Sequence, residues 1–166
     1  MSKADGMIMF AGQYSELEPA KEDFQVIKEL HHEKLIGKYD AALFTKTEKG
    51  KVKIVDTDES YRARGATYGA LGGAVLGLIF PPTLLLIGGG AALGAALGHL
   101  TAGMPRGDIK EIGDMLDEGE AGIILIGETT VGEFEDRLMK KAAKVAKKQI
   151  DADADAMKKD IDEAVD

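Results

Sequence analysis

GATYGALGGAVLGLIFPPTLLLIGGGAALGAALGHLTAGMP, residues 65–105, runs for 41 positions without Asp, Glu, Lys or Arg in a 166-residue chain that is 30% charged. Gly65, Gly69, Gly73 and Gly77 fall every fourth residue, Pro81-Pro82 interrupts the step, and Gly90, Gly94 and Gly98 resume it. Four-residue spacing keeps glycines near one side of a helix, leaving a groove into which another helix backbone can move. A single span needs roughly 20 apolar residues to cross about 30 Å of hydrocarbon. The stretch therefore suits two short helices, 63–80 and 83–103. Pro81 and Pro82 form the turn, because proline has no N–H and restricts the residue before it. Arg62 and Arg64 precede the hairpin, and Arg106 and Lys110 follow it. The positive-inside preference then holds both ends, and the rest of the chain, on the cytoplasmic side of a cell membrane. A second reading stays open. Glycine and alanine add little to helix stability or insertion energy, and hairpins from several chains could instead bury one another's small-residue faces in a soluble cytoplasmic assembly.

Outward on the N-terminal side, Met7-Ile8-Met9-Phe10-Ala11 is an apolar run of strand length. Ser15 and Glu18 have capping-box spacing. Ala20, Phe24, Ile27 and Leu30 recur every three or four residues, which predicts an amphipathic helix closing near Leu35 to Gly37. Tyr39 to Thr45 and Val52 to Val55 are β-prone and are separated by the polar Lys46-Thr47-Glu48-Lys49-Gly50-Lys51, with glycine where a hairpin turn needs it. On the C-terminal side, Asp108 and Glu111 bracket the start of a short helix with Ile109, Ile112, Met115 and Leu116 on its apolar side. Gly122-Ile123-Ile124-Leu125-Ile126-Gly127 reads as a buried strand.

The flanks together predict an α+β fold, a ferredoxin-like β-α-β-β-α-β domain with the glycine-zipper hairpin inserted in it. Residues 1–62 and 106–130 form the two parts of that domain, and 63–105 the insertion. Residues 131–166 read as a long C-terminal amphipathic helix, with Phe134, Leu138, Ala142 and Val145 as its stripe. Its lysines, Lys140, Lys141, Lys144, Lys147 and Lys148, suggest either a solvated face or a basic segment beside anionic headgroups.

Chemistry is sparse. Cysteine is absent, which removes disulfides and thiolate catalysis. Net charge is −8, and outside the hairpin acids outnumber bases on both flanks, which disfavours nucleic acid as a partner. No apolar leader opens the sequence. The run Gly88-Gly89-Gly90 lacks the Lys-Ser/Thr that a phosphate loop requires. Adjacent His31 and His32, near Glu29 and Glu33, point about 100° apart on a helix, so a solvated face is expected and no metal site. Ser2, Ser15 and Ser60 sit in no glycine elbow. His99 stands apart as an ionisable residue inside the apolar stretch, a polar intramembrane site that would face a neighbouring helix or a water-filled path.

The order of these segments resembles the DUF1269 family, small bacterial and archaeal proteins of unknown function often labelled predicted membrane proteins. The resemblance rests on the Met7–Ala11 strand, the Gly69–Gly77 zipper with Phe80-Pro81-Pro82 at its turn, Gly90-Ala91-Ala92-Leu93-Gly94, and the Ala121–Ile126 strand. It implies a membrane-associated, non-enzymatic protein and supplies no site residues. The combined expectation is a homo-oligomer that assembles through its hairpins in contact with membrane lipid, without cofactor, metal or small-molecule substrate. Its role is structural or regulatory, with a pore or transport component and a soluble scaffold or binding protein as the alternatives.

Overall fold

The computed structural model describes residues 7–35, 39–59, 105–128, 131 and 135–150. They form β1 (Met7–Tyr14), α1 (Leu17–His32), β2 (Tyr39–Lys46), β3 (Val52–Glu59), α2 (Arg106–Asp117), β4 (Ala121–Glu128), α3 (Glu135–Leu138) and β5 (Lys144–Ile150). The strands make one five-stranded sheet in the order β3-β2-β4-β1-β5, and every neighbouring pair is antiparallel. Since β1 and β2 both run against β4, they are parallel to each other, with β4 between them. The expected β-α-β-β-α-β order is present, but β4 splits the β1–β2 pair, whereas β3 does so in the ferredoxin-like arrangement. The buried, continuously apolar β4 takes the central place and leaves the polar β3 at an edge.

One face of the sheet is covered by α1. Ala20, Phe24, Ile27 and Leu30 pack onto Ile8, Phe10 and Tyr14 of β1, Tyr39, Ala41 and Leu43 of β2, and Ala121, Ile123 and Leu125 of β4. The alternating residues of each strand follow from the two-residue repeat of the pleat. Burying Phe24, Ile27 or Leu30 contributes on the order of 1.5–3 kcal/mol each. The opposite face carries Met7, Met9, Ala42, Phe44, Ile124 and Ile126, all buried, together with Ile112 and Leu116 of α2.

Helix boundaries differ from expectation at three points. Glu16, not Ser15, is the N-cap of α1, without a side-chain cap bond. The helix ends at His32, and Lys34 turns it off in the left-handed region at φ 63°. Leu35 N–H donates to the Leu30 carbonyl at 3.0 Å, so the role expected of Gly37 is taken by a lysine. Helix α2 begins at Arg106 behind Pro105 as N-cap, which puts Asp108 in the first turn as an acid beside the helix dipole instead of at the cap. The β2–β3 turn is as expected, with Gly50 at φ 78° donating to the Thr47 carbonyl at 2.9 Å.

The largest correction concerns the C-terminal helix. Among the described residues from 131 on, the α-helix is limited to the four residues of α3, and Lys144–Ile150 is a strand paired with β1 from Met7↔Ile150 to Gln13↔Lys144. Leu138 and Met139 drop into the α1-side core, and the next residues close the open edge of β1. Seven registered residue pairs outweigh the helical preference of a Lys/Ala-rich segment. Residues 151–166, the remainder of the expected helix, lie outside the described residues.

Candidate functional site

The registers give the domain two distinct ends. Met7 pairs with Glu128 and with Ile150, Tyr39 with Gly127, and Asp40 with Glu59. These residues therefore share one end, to which α1 also delivers His32. Helix α2 begins there too. Lys148 of β5, near that end, contacts Asp108 at 3.5 Å and also Glu111, while Lys144, near the other end, contacts Glu118 at 3.1 Å. The chain thus leaves the sheet at Glu59 and returns at Pro105 on the same end, the geometry an inserted hairpin requires. The opposite end holds the tight connections: Ser15-Glu16, the Thr47–Lys51 turn, Glu118–Glu120 and the approach to β5.

Beside the point where β3 ends, α1, β2 and β3 bring together His31, Tyr39 and Asp58. Nδ1 of His31 lies 3.0 Å from Oδ2 of Asp58, and the Tyr39 hydroxyl donates to the same carboxylate oxygen. The imidazole and phenol rings stand 4.6 Å apart at 53°. Burial, followed by the Asp58 carboxylate, pushes the Tyr39 phenol well above its ordinary range, so it stays a donor. One turn back on α1, Lys28 reaches Asp56 at 3.0 Å. The arrangement fastens the last turns of α1 to β3 just before the chain departs.

His31 therefore does more than occupy a solvated face, although His32, Glu29 and Glu33 are exposed as expected. Tyr39 and Asp58 are not marked as site residues by the sequence pattern. A readable signal existed: Lys28 and His31 are three apart on a helix, and Asp56 and Asp58 two apart on a strand, so each pair shares a face.

A second buried network lies toward the opposite end. The Tyr14 hydroxyl donates to Asp23 Oδ2 at 2.7 Å, and the Lys141 backbone N–H donates to the same oxygen at 2.8 Å. Asp23 is 3% exposed. It ties β1, α1 and the chain entering β5 to one oxygen.

The lysine block is also relocated. Lys141 pairs with Glu22, Lys144 with Glu118, and Lys148 with Asp108 and Glu111, while Lys147 lies 5.9 Å from the Phe10 ring centroid. Lys141, Lys144 and Lys148 thus face acids of α1, of α2 and of the turn after it, and are not a free basic stripe on a helix. Between α2 and β5, Lys144, Lys147 and Lys148 border a shallow groove of about 580 Å³, with Glu111 and Met115 on its other wall. Among the described residues no three His, Asp or Glu side chains cluster as metal ligands would.

Of the expected assembly residues, Gly65, Gly69, Gly73, Gly77, Gly90, Gly94 and Gly98, the turn Pro81-Pro82, the flanks Arg62 and Arg64, and His99 all lie outside the described residues. Arg106 opens α2 at the end where Glu59 departs and is exposed. Lys110, one turn on, pairs with Asp114 at 2.8 Å, a hydrogen bond that raises its pKa. No described helix is long and apolar enough to cross a membrane.

Residues 66–162 match the family described as "Protein of unknown function (DUF1269)", more than half of the chain. The protein belongs to the DUF1269 family. The matched residues take in the zipper segment, α2, β4, α3 and β5. The β1 strand of this DUF1269 chain, with α1, β2 and β3, precedes them. No curated protein and no solved structure gives a match.

Proposed function

We propose that this protein is a non-enzymatic, membrane-associated homo-oligomer whose sheet domain carries a glycine-zipper hairpin as its assembly element. The observation that carries the reading is the placement of Glu59 and Pro105 at one end of the sheet, on either side of a charge-free stretch long enough for two short spans. A segment that leaves and returns on the same side can enter a bilayer without dragging the sheet through it. Its four-residue glycine repeat suits close helix packing, within one hairpin and between copies. The structural or regulatory role lies in that assembly.

The test is fractionation of cells expressing the full chain, followed by alkaline carbonate washing. Retention in the membrane pellet supports the reading, and complete release refutes insertion. Gly73→Leu together with Gly94→Leu should reduce the particle mass measured in detergent, since leucine fills the groove the glycines leave. An unchanged mass would remove the zipper as the contact.

One observation favours the soluble scaffold as the second reading. The sheet face opposite α1 is apolar through Ala42 and Phe44 of β2 and Ile124 and Ile126 of β4, whereas α2 packs mainly over β1 and β5. An apolar hairpin rooted at the end of that face could serve it as a cover. Release by carbonate with an intact oligomer would select this reading.

A further inference from the structure

We infer that the hairpin end of the sheet domain is itself a lipid-contacting surface, with Leu35 as its apolar anchor and Lys34 and Arg106 as flanking cations. The inference rests on the membrane reading above and adds to it which face of the domain meets the headgroups. Three large apolar side chains are notably exposed among the described residues: Leu35, Val55 and Val145. Val55 is the extra residue of a bulge in β3, opposite the step from Leu43 to Phe44, and Val145 lies one residue into β5 at the far half of the strand. Neither projects beyond an end of the sheet. Leu35 follows the last turn of α1, at the end where Glu59 departs and Pro105 returns.

Its position is fixed by the backbone. Lys34 adopts φ 63°, the left-handed region that a residue with a Cβ enters only at a cost. The Leu35 N–H is then held on the Leu30 carbonyl. In such a cap the residue after the left-handed one commonly folds back onto the helix as an apolar contact. Here that residue remains 45% exposed. The strained lysine and the exposed leucine together form a short amphipathic tip, an apolar residue to enter the interface and a cation to stay among the phosphates. Arg106, exposed at the start of α2, supplies a second cation at the same end. Exposed Glu33 and half-buried Glu128, with Asp58 beside His31 and Asp108 beside Lys148, add acids at this end, so the contact is led by the leucine and not by net charge.

An eight-residue strand spans about 27 Å, so the two ends of the domain differ measurably in depth. The natural absence of cysteine permits single-site labelling of the full-length chain. Leu35→Cys, Glu33→Cys and, at the far turn, Lys49→Cys would each carry an environment-sensitive fluorophore. Each variant is reconstituted into phosphatidylcholine/phosphatidylglycerol vesicles containing a lipid with a nitroxide on its headgroup. The expected result is strong quenching at 35 and 33 and little at 49. The probe at 33 leaves the leucine in place, so the result does not depend on a dye replacing the anchor. Equal quenching at all three sites, or stronger quenching at 49, overturns the inference while the protein still floats with the vesicles. Failure to float overturns the membrane reading itself, and the inference with it.

Discussion

The Tyr14 hydroxyl and the Asp23 carboxylate, on β1 and α1, meet at 2.7 Å with both side chains buried. The carboxylate oxygen also accepts the Lys141 N–H, so one residue of α1 fixes the position of the chain that leads into the edge strand. Asp23→Ala should destabilise the protein by about 1–3 kcal/mol in urea unfolding, because it leaves a phenol and an amide buried without an acceptor. Asp23→Asn keeps one acceptor oxygen and should lose less. Equal losses for both variants would show that the carboxylate charge, and not the acceptor oxygen that asparagine keeps, is what matters.

Alkaline pH should act through two tyrosines. Burial, followed by the hydrogen bonds to Asp23 and Asp58, raises the pKa of Tyr14 and Tyr39 far above the ordinary tyrosine value. A raised pKa means the folded state holds its proton more tightly than the unfolded chain. The associated stability is therefore complete below about pH 10, where unfolded tyrosine titrates, and is lost progressively above it. Phenolate absorbance should rise in step with unfolding for these two residues. Tyr14→Phe combined with Tyr39→Phe should flatten the stability curve in that range. Full phenolate formation in the still-folded protein would contradict the burial argument.

The elements legible in the sequence were those whose signal is local. Ala20, Phe24, Ile27 and Leu30 mark a helix face by spacing alone, Gly50 marks a turn by its backbone freedom, and Ile123–Ile126 mark a buried strand by lacking any polar break. What escaped depends on partners distant in the chain. Lys144–Ile150 contains three lysines and looks like a solvated helix until β1 is seen to have an unpaired edge. His31 looks solvent-facing until β3 brings Asp58 to it. The strand order was hidden for the same reason: nothing local in the apolar run of β4 states which two strands it will separate.

Glycine positions on either side of the hydrophobic layer should respond in opposite directions to alanine. A Cβ at Gly122 would lie 2.5 Å from Cζ and 2.8 Å from Cε1 of Phe44, its cross-strand partner, and 3.1 Å from the Gly12 carbonyl oxygen. Gly122→Ala should therefore cost about 1–3 kcal/mol as the Phe44 ring is displaced. Gly107 in α2 has nothing within 4 Å of the added carbon. Gly107→Ala should stabilise by up to about 1 kcal/mol through helix propensity. Thermal unfolding of both variants checks the pair, and a stabilised Gly122→Ala would mean that β2 and β4 are less tightly apposed than described.

The final prediction asks whether the sheet domain has its own core. Among the described residues, the α1-side cluster already joins α1, β1, β2 and β4 with Val131, Leu138 and Met139. Removing residues 63–105 and joining Arg62 to Arg106 should then leave a domain that folds. The join must cross the sheet from its β3 edge toward β1, three strand spacings of about 4.8 Å, and rise one layer of about 10 Å to α2, roughly 17 Å in all. About ten Gly/Ser residues have that mean end-to-end length. The excised protein should keep a sheet-rich circular dichroism spectrum and a cooperative urea transition. Its midpoint should fall, because the apolar face of Met7, Met9, Ala42, Phe44, Ile124 and Ile126 has only α2 as a described covering helix. Its particle mass in detergent should drop to that of a monomer if the hairpin is the assembly element. A chain that stays disordered with linkers of ten and twenty residues would show that hairpin and sheet form one indivisible core, and would favour the soluble scaffold over the membrane assembly.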